Sequence, residues 1–189
     1  GPSPKTPAKP KLLIPVGGGK DSAAVLGWLG EQKQAFGVLL LLPNSAAGAA
    51  ITTISQATET ITLRRTLDPQ LKELNAQGFL NGHTPFSAYL GWASVLAARL
   101  FGYTQVAVAN EQSANEGNLL YHGLSVNHQY SKTTQYEAAF RAYLETFFQP
   151  LSPGQTPEYF SLWRPLHELQ IAQLFSHYPQ FFPLFKSCN

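Results

Sequence analysis

Short apolar runs alternate along the chain with longer segments in which apolar and polar residues mix. Runs without polar side chains are typical of strands buried on both faces of a sheet. Within the first run, Pro15 has no N–H to donate, so pairing is expected to weaken near its end. Five strands are predicted, over residues 12–16, 37–42, 61–67, 104–109 and 159–163.

The mixed segments carry helix signals. Between Thr84, a suitable N-cap, and Gly102, a suitable end, apolar residues recur at three- and four-residue spacing. Pro85 suits the first helical position. The periodic residues are predicted to face the core: Phe86, Tyr89, Leu90, Ala93, Leu96, Ala97, Leu100 and Phe101. Further helices are predicted over 21–33, 70–76, 136–147 and 165–176, the third with an aromatic core face, while residues 46–50 yield no assignment.

Buried strands separated by helices predict an α/β fold of three layers, with a mostly parallel sheet flanked by helices. Ligands of such sheets gather beyond the carboxyl ends of the strands. Residues 12–189 are assigned to one nucleotide-binding domain. The proline-rich residues 1–11 are expected to be a disordered tag or linker tail, and whether residues 46–60 are ordered is left open.

Charge and cysteine content narrow the function classes. The formal net charge of +2 comes from Lys5, Lys9 and Lys11 in the opening segment, and without them the remainder is slightly negative. No cluster of cations suits a phosphate backbone, which disfavours nucleic acid as a partner. A single cysteine, Cys188, together with the lack of a signal peptide or a long apolar run, predicts a cytoplasmic protein without a membrane span.

The turn after the first strand has the composition of a phosphate-binding loop. Its glycines let backbone N–H groups converge at the start of a helix, where an anion is favoured. Lys20 and Ser22 can add charge and a hydroxyl, and Asp21 suits either a divalent cation or a helix cap. The loop consists of Gly17, Gly18, Gly19, Lys20, Asp21 and Ser22. It resembles the PP-loop of ATP pyrophosphatases, with Gly17 in place of the usual first serine.

A second polar segment follows the strand over 104–109. It runs through Asn110, Glu111, Ser113, Asn115, Glu116 and Asn118, and residues 126–133 continue it with His128, Tyr130 and Lys132. Together with the glycine loop and residues 83–87, this segment is similar to the UDP-N-acetylmuramoyl-L-alanyl-L-glutamate epimerase family of peptidoglycan synthesis. The likeness extends from residue 12 to 189 and implies an adenine-nucleotide alpha-hydrolase-like fold. It covers the ATP-using domain alone, so further segments of a parent enzyme are expected.

The resemblance implies ATP- and Mg²⁺-dependent adenylation of the terminal glutamate of a UDP-muramoyl dipeptide, which enables its inversion. Gly17, Gly18, Gly19 and Ser22 are expected to hold the β- and γ-phosphates, with Lys20 neutralising charge. Asp21, with Glu111 or Glu116, is the candidate magnesium site, and Asn44 the candidate neighbour of adenosine. The remaining candidates would orient substrate, metal waters or phosphate: Asn110, Ser113, Asn115, His128, Tyr130 and Lys132.

Alternatives stay open at this stage. The segment over 110–118 suits an ordinary polar turn as well, Arg164 suits either phosphate or a surface ion pair, and His83 and His167 are interpreted as structural. Another PP-loop ligase or amidase, such as a tRNA-modifying enzyme, and a non-catalytic ATP-binding module are the competing functions. Gly18→Val is expected to block nucleotide with little loss of melting temperature.

Overall fold

A computed structural model describes residues 11–42, 46–79, 85–151 and 154–186. The strands are β1 (Leu12–Val16), β2 (Phe36–Leu42), β3 (Glu59–Arg64), β4 (Gln105–Val108), β5 (Leu119–Tyr121), β6 (Leu124–Val126) and β7 (Glu158–Ser161). The helices are α1 (Lys20–Glu31), α2 (Ala46–Ile54), α3 (Pro69–Ala76), α4 (Phe86–Phe101), α5 (Thr134–Tyr143) and α6 (Glu168–Phe175). The predicted strands and helices are therefore all present, with boundaries shifted by a few residues.

Five strands form one parallel sheet in the order β3-β2-β1-β4-β7. β1 pairs with β2 along its whole length, whereas its pairing with β4 covers only Leu12 and Leu13. The pairing on the β4 side thus stops before Pro15, as expected from a residue without an N–H. Because all five strands run the same way, the loops that follow β1 and β4 meet at one edge of the sheet.

Helices cover both faces of this sheet, which confirms the three-layer α/β architecture. Ile14 and Val38 point to the face covered by α1, α2 and α6, whereas Leu13 and Leu39 point to the face covered by α4 and α5. The alternation follows from the two-residue period of a strand. All four side chains are fully buried.

Helix α2 lies in a segment for which the sequence predicts no element. Its small residues give no apolar stripe, yet they allow a close approach to the first loop. A β-carbon added at Gly48 would lie 2.9 Å from the carbonyl oxygen of Val16. Ile51, fully buried, anchors the helix on the sheet.

The predicted core face of α4 is confirmed for Ala97 but wrong for its large residues. The buried residues of α4 are Gly91, Ser94, Val95, Ala97 and Ala98. The large periodic residues point outward, with Leu96, Leu100 and Phe101 exposed by 54%, 71% and 50%. The helix uses its small residues to approach the sheet, and spacing alone does not tell which of two stripes faces inward. The predicted N-cap Thr84 lies outside the described residues, and Pro85 precedes the helix as its N-cap.

Three further expectations need correction. On α5 and the π-helical turn after it, Phe140 and Leu144 are buried, but Tyr143 and Phe147 of the same predicted face are exposed. The last helix begins at Glu168, after an N-cap at His167, and not at 165. Lys11, assigned to the tail, donates its backbone N–H to Thr104 Oγ1 and accepts bonds from β4.

Beyond the sheet, β5 and β6 form an antiparallel hairpin that the sequence analysis did not predict. Within the described part of the chain, none of the helices has the length and apolar character that a membrane crossing requires.

Candidate nucleotide-binding site

The loop between β1 and α1 presents backbone donors at a helix start. The N-cap position of α1 is occupied by Gly19. Asp21 lies within the first turn of the helix instead and is therefore not its N-cap residue. Among the described residues, the amides from Gly18 to Ser22 donate no hydrogen bond. These free N–H groups and the helix dipole favour an anion in front of the loop.

The conformation of this loop is fixed by its neighbours. Gly18 has φ 100°, and a β-carbon there would lie 2.6 Å from both the Ala47 β-carbon and the Gly48 amide nitrogen. The expectation that Gly18→Val spares the melting temperature is therefore wrong, because the new side chain would collide with α2. The Gly18 carbonyl accepts a 3.0 Å bond from the Lys186 N–H, and Trp163 Nε1 donates to the Asp21 carbonyl at 3.1 Å.

The Ser22 hydroxyl is already engaged. Ser22 is buried, and its Oγ donates to the Gly19 carbonyl at 3.0 Å. In this arrangement the hydroxyl stabilises the first turn of α1. The predicted phosphate contact of the Ser22 hydroxyl would require it to leave the Gly19 carbonyl.

Lys20 lies between two carboxylates. Its Nζ is 2.5 Å from Asp21 Oδ1 and 2.6 Å from Glu168 Oε1. Burial lowers the pKa of Lys20, but the hydrogen bonds with Asp21 and Glu168 outweigh it and leave the pKa raised. The hydrogen bond with Lys20 in turn lowers the pKa of Glu168. The sequence analysis missed Glu168, whose position in α6 gave no local signal.

Glu111 joins this cluster from the loop after β4. Its Oε2 atom is buried and has no hydrogen-bond partner among the residues that the structure describes. Burial, the hydrogen bond to Glu168 and the charges of Glu168 and Asp21 raise the pKa of Glu111 to about 7. An unpartnered carboxylate oxygen with a raised pKa is a group that a cation would stabilise.

The predicted metal set needs revision. Glu116 is exposed and is not among the main groups that shift the pKa of Glu111, whereas Glu168 is. In the described ranges, no three Asp, Glu, His or Cys side chains converge closely enough to hold a metal ion by themselves. Asp21 and Glu111 supply only oxygen ligands, which suits Mg²⁺ bound by one or two carboxylates together with phosphate oxygens.

Arg164 makes its ion pair inside the protein, so the alternative of a surface ion pair is wrong. Its Nη1 donates to the Glu111 carbonyl at 2.8 Å, and its Nη2 donates to the Lys132 carbonyl at 2.8 Å. The same Nη2 pairs with Glu137 Oε2 at 3.0 Å, and the two side chains are only 16% and 13% exposed. Glu137 also accepts a short bond from the Ser161 hydroxyl. Arg164 therefore ties together the segments that carry Glu111 and Lys132.

Most other candidates on the Glu111 loop hold its shape. The Asn110 amide donates to Ser161 Oγ at 3.1 Å. Asn115 donates to the Gln112 carbonyl at 3.0 Å and accepts from the Thr134 N–H at 2.7 Å. Ser113 Oγ accepts from the Glu168 N–H at 3.4 Å. These contacts hold the shape of the loop, and the predicted substrate contacts of the three residues stay predictions.

A cavity of about 830 Å³ lies beside the loop. His128, Tyr130 and Lys132 line it opposite Phe86 and Tyr136. The positive charge of Lys132 contributes to the lowered pKa of Glu168, so this cavity adjoins the charged cluster. Asn44, the candidate neighbour of adenosine, lies outside the described residues, as does His83.

Residues 2–162 match the family model described as the MurL N-terminal domain. Curated relatives named UDP-N-acetyl-alpha-D-muramoyl-L-alanyl-L-glutamate epimerase come from Salinispora tropica, Micromonospora sp. and Xanthomonas oryzae pv. oryzae. They are 36%, 37% and 35% identical to this chain over 94% of its length. The chain spans only 37%, 38% and 38% of these relatives.

Two solved structures share the fold. The U34-tRNA thiolase NcsA from Methanococcus maripaludis has a TM-score of 0.58 at 11% identity, covering 95% of this chain and 59% of that chain. A predicted subunit of tRNA methyltransferase from Methanocaldococcus jannaschii has a TM-score of 0.50 at 10% identity, covering 89% and 75%. At such identity the likeness concerns the fold alone, and it agrees with the predicted adenine-nucleotide alpha-hydrolase-like architecture.

Proposed function

Because this chain belongs to the MurL N-terminal domain family, we propose that it is the ATP-using domain of a UDP-N-acetylmuramoyl-L-alanyl-L-glutamate epimerase. The observation that carries the proposal is the glycine loop, whose amides from Gly18 to Ser22 donate no hydrogen bond within the described part of the chain and lie beside a cluster of carboxylates. Such a loop suits the phosphates of a nucleotide. The curated relatives carry the epimerase name.

Adenylation explains why an epimerase needs a nucleotide. The α-proton of a glutamate residue is very weakly acidic beside a free carboxylate, because its removal would build a dianion. In the proposed reaction a carboxylate oxygen bonds to the α-phosphorus of ATP while the bond to the β-phosphate breaks and pyrophosphate leaves. The activated carbonyl lets a base remove the α-proton, and return of a proton to the opposite face inverts the centre. Water then cleaves the bond between the carboxyl group and AMP, which releases AMP and restores the free carboxylate.

The loop residues have separate roles in this proposal. The amides from Gly18 to Ser22 hold the β- and γ-phosphates and neutralise charge on the departing pyrophosphate. Lys20 approaches the same phosphates when it exchanges one of its two carboxylate partners for a phosphate oxygen. Lys132 and His128, which line the adjoining cavity, are the proposed contacts of the substrate.

Asp21 and Glu111 are the proposed magnesium ligands. The unpartnered Glu111 Oε2 and the oxygen-only donor set fit this ion. When bound, Mg²⁺ neutralises phosphate charge and orients the phosphate chain. Glu168 and Arg164 then act as positioning residues, since Glu168 contacts Lys20 and Arg164 fixes the Glu111 backbone.

The test is pyrophosphate release from Mg-ATP with UDP-N-acetylmuramoyl-L-alanyl-L-glutamate, followed by chiral analysis of the glutamate. Substrate-dependent release supports the proposed adenylation, and inversion in the same sample supports a complete epimerase. Release without inversion would assign the bases to the part of the relatives that this chain does not cover. ATP binding without any release would leave a non-catalytic nucleotide module, and release driven by tRNA instead would contradict the proposed substrate.

A further inference from the structure

The β5–β6 hairpin presents an apolar face that the described residues leave exposed. Its strands pair Leu119 with Val126 and Tyr121 with Leu124. Because strand side chains alternate, these four residues lie on one face of the hairpin. His122 and Gly123 join the strands with φ 46° and 77°, the left-handed conformations of a tight two-residue hairpin turn.

This face is exposed throughout. Leu119, Tyr121, Leu124 and Val126 are exposed by 58%, 61%, 70% and 40%. No strand residue of the hairpin is buried. An isolated two-stranded hairpin is marginally stable in water, and an apolar face of this kind is typical of an interaction site.

Polar contacts at its base fix the hairpin to the Glu111 loop. The Asn118 N–H donates to the Val126 carbonyl at 3.0 Å, and the Asn127 amide donates to the Ala114 carbonyl at 2.8 Å. Gly117 lets the Ser125 hydroxyl approach, since a β-carbon at Gly117 would lie 2.0 Å from Ser125 Oγ. A protein surface that packs on the hairpin would therefore contact an element that is hydrogen-bonded to the loop carrying Glu111.

We propose that this apolar face docks on the part of the epimerase that the curated relatives possess beyond the region shared with this chain. The inference rests on the proposed function. The shared region is 37% of the Salinispora tropica relative, so the remainder is larger than this domain. The hairpin lies inside the family match over residues 2–162, so it belongs to the shared domain.

The composition of residues 117–131 favours an apolar protein surface over a membrane as the partner of the hairpin. Residues 117–131 contain no Asp, Glu, Lys or Arg. An anionic membrane surface attracts clustered cations, which this segment lacks. Docking here would place the remainder of the enzyme beside the cavity lined by His128 and Lys132.

Hydrogen exchange tests the proposal. Amide protection is measured for residues 119–126 in this chain and for the aligned peptide in the full-length Salinispora tropica epimerase, each corrected for intrinsic rates. We expect protection at least about tenfold higher in the full-length protein, because docking suppresses local opening. Peptides from β1 serve as the reference, since β1 is buried in this chain.

Paired variants of the full-length relative sharpen the test. Glutamine at the positions aligned with Tyr121 and Leu124 is expected to return the hairpin to fast exchange. Glutamine at the positions aligned with Leu96 and Leu100, exposed leucines of α4, is expected to leave it protected. Mg-ATP affinity is measured on every sample, so that loss of the proposed nucleotide site is distinguished from loss of docking.

Equal protection in the short and full-length proteins overturns the proposal. Protection that rises with the concentration of this chain alone would assign the face to a second copy instead. Protection that appears only with phosphatidylcholine vesicles would assign it to a lipid surface.

Discussion

The two loops that form the candidate site are built in different ways. The loop after β1 takes its shape from backbone conformation and from close packing on α2, with Gly18 at φ 100°. The loop after β4 depends on side chains that are distant in sequence, since Arg164 reaches the Glu111 carbonyl across 53 positions. A site made of backbone amides is determined by a short stretch of sequence. A site made of side chains that are distant in sequence forms only when the chain has folded.

The difference predicts separable defects. Changes in the first loop should remove nucleotide binding through the amides themselves. Changes in the Arg164 contacts should displace Glu111 and Lys132 while leaving the amides in place. Gly18→Val and Arg164→Ala test whether these two defects are separate.

The largest effect is expected for Gly18→Val. Its side chain would meet Ala47 and Gly48 at 2.6 Å in a conformation that valine rarely adopts. We expect Mg-ATP affinity to fall by more than about 100-fold and the unfolding free energy by about 2–4 kcal/mol. Isothermal titration calorimetry and thermal melts measure the two quantities.

Gly17→Ala is the matched control, because a β-carbon at Gly17 meets nothing within 4 Å. Its melting temperature should stay within about 2 °C of the parent. Unchanged nucleotide affinity in Gly18→Val would contradict the assignment of phosphate to this loop.

The next effect is expected for Arg164→Ala. Removal of the guanidinium leaves Glu137 nearly buried without its ion-pair partner and frees the carbonyls of Glu111 and Lys132. We expect a loss of about 3 kcal/mol of unfolding free energy and at least tenfold slower pyrophosphate release, about 1.4 kcal/mol in the barrier. Affinity for ATP measured without Mg²⁺ should change by less than about threefold, under 1 kcal/mol, because the hydrogen bonds of Arg164 go to Glu111, Lys132, Glu137 and Ser161 and not to the glycine loop.

Arg141→Ala serves as its control, since Arg141 lies 4.0 Å from Glu158 in an exposed pair. Such a pair contributes less than about 1 kcal/mol. If the two arginine variants had equal stability and equal release rates, the proposed positioning role of Arg164 would be wrong.

Asp21→Asn should have a smaller and more specific effect. The substitution removes a candidate magnesium ligand while keeping the size of the side chain. We expect the magnesium-dependent part of ATP affinity to disappear, about 10- to 100-fold, with the fold intact by circular dichroism. Titrations with and without Mg²⁺ measure that part directly. An unchanged magnesium dependence would exclude Asp21 from the metal site.

The sequence predicted the first loop well for a physical reason. Three glycines between an apolar strand and a helix leave few conformations, and neighbouring residues supply most of the contacts. It also predicted that Glu111 lies near the first loop, because the carboxyl ends of parallel strands share one edge. Glu168 and Glu137 could not be found this way, since their helices enter the site through tertiary packing.

The outward face of α4 shows that sequence pattern alone also fails to predict some of the packing in the fold. Periodicity identified an apolar stripe that includes Leu96 and Leu100, but the sheet instead packs on Val95 and Ala98. Small residues gave a weaker sequence signal than the large exposed ones. Burial was therefore decided by fit to the sheet rather than by hydrophobicity.

The smallest expected effect concerns pH and Glu111. Burial and the neighbouring Glu168 raise the pKa of Glu111 from 4.5 to about 7, so between these values the folded protein binds more protons than the unfolded chain. The unfolding free energy contributed by this group must then fall as pH rises from about 4.5 to 7, and remain level above that. Glu111→Gln removes this contribution and keeps the shape of the side chain.

The melting temperature of Glu111→Gln minus that of the parent should therefore increase by a few degrees from pH 5 to pH 8. Glu168 does not produce this trend, because its pKa is lowered and its contribution changes at more acidic pH. Adding Mg-ATP should reduce the difference, since a bound cation stabilises the ionised carboxylate of Glu111. A difference in melting temperature that stays constant from pH 5 to pH 8 would show that the pKa of Glu111 is not raised in the folded protein. The contrast between the two loops would then depend on Arg164 alone.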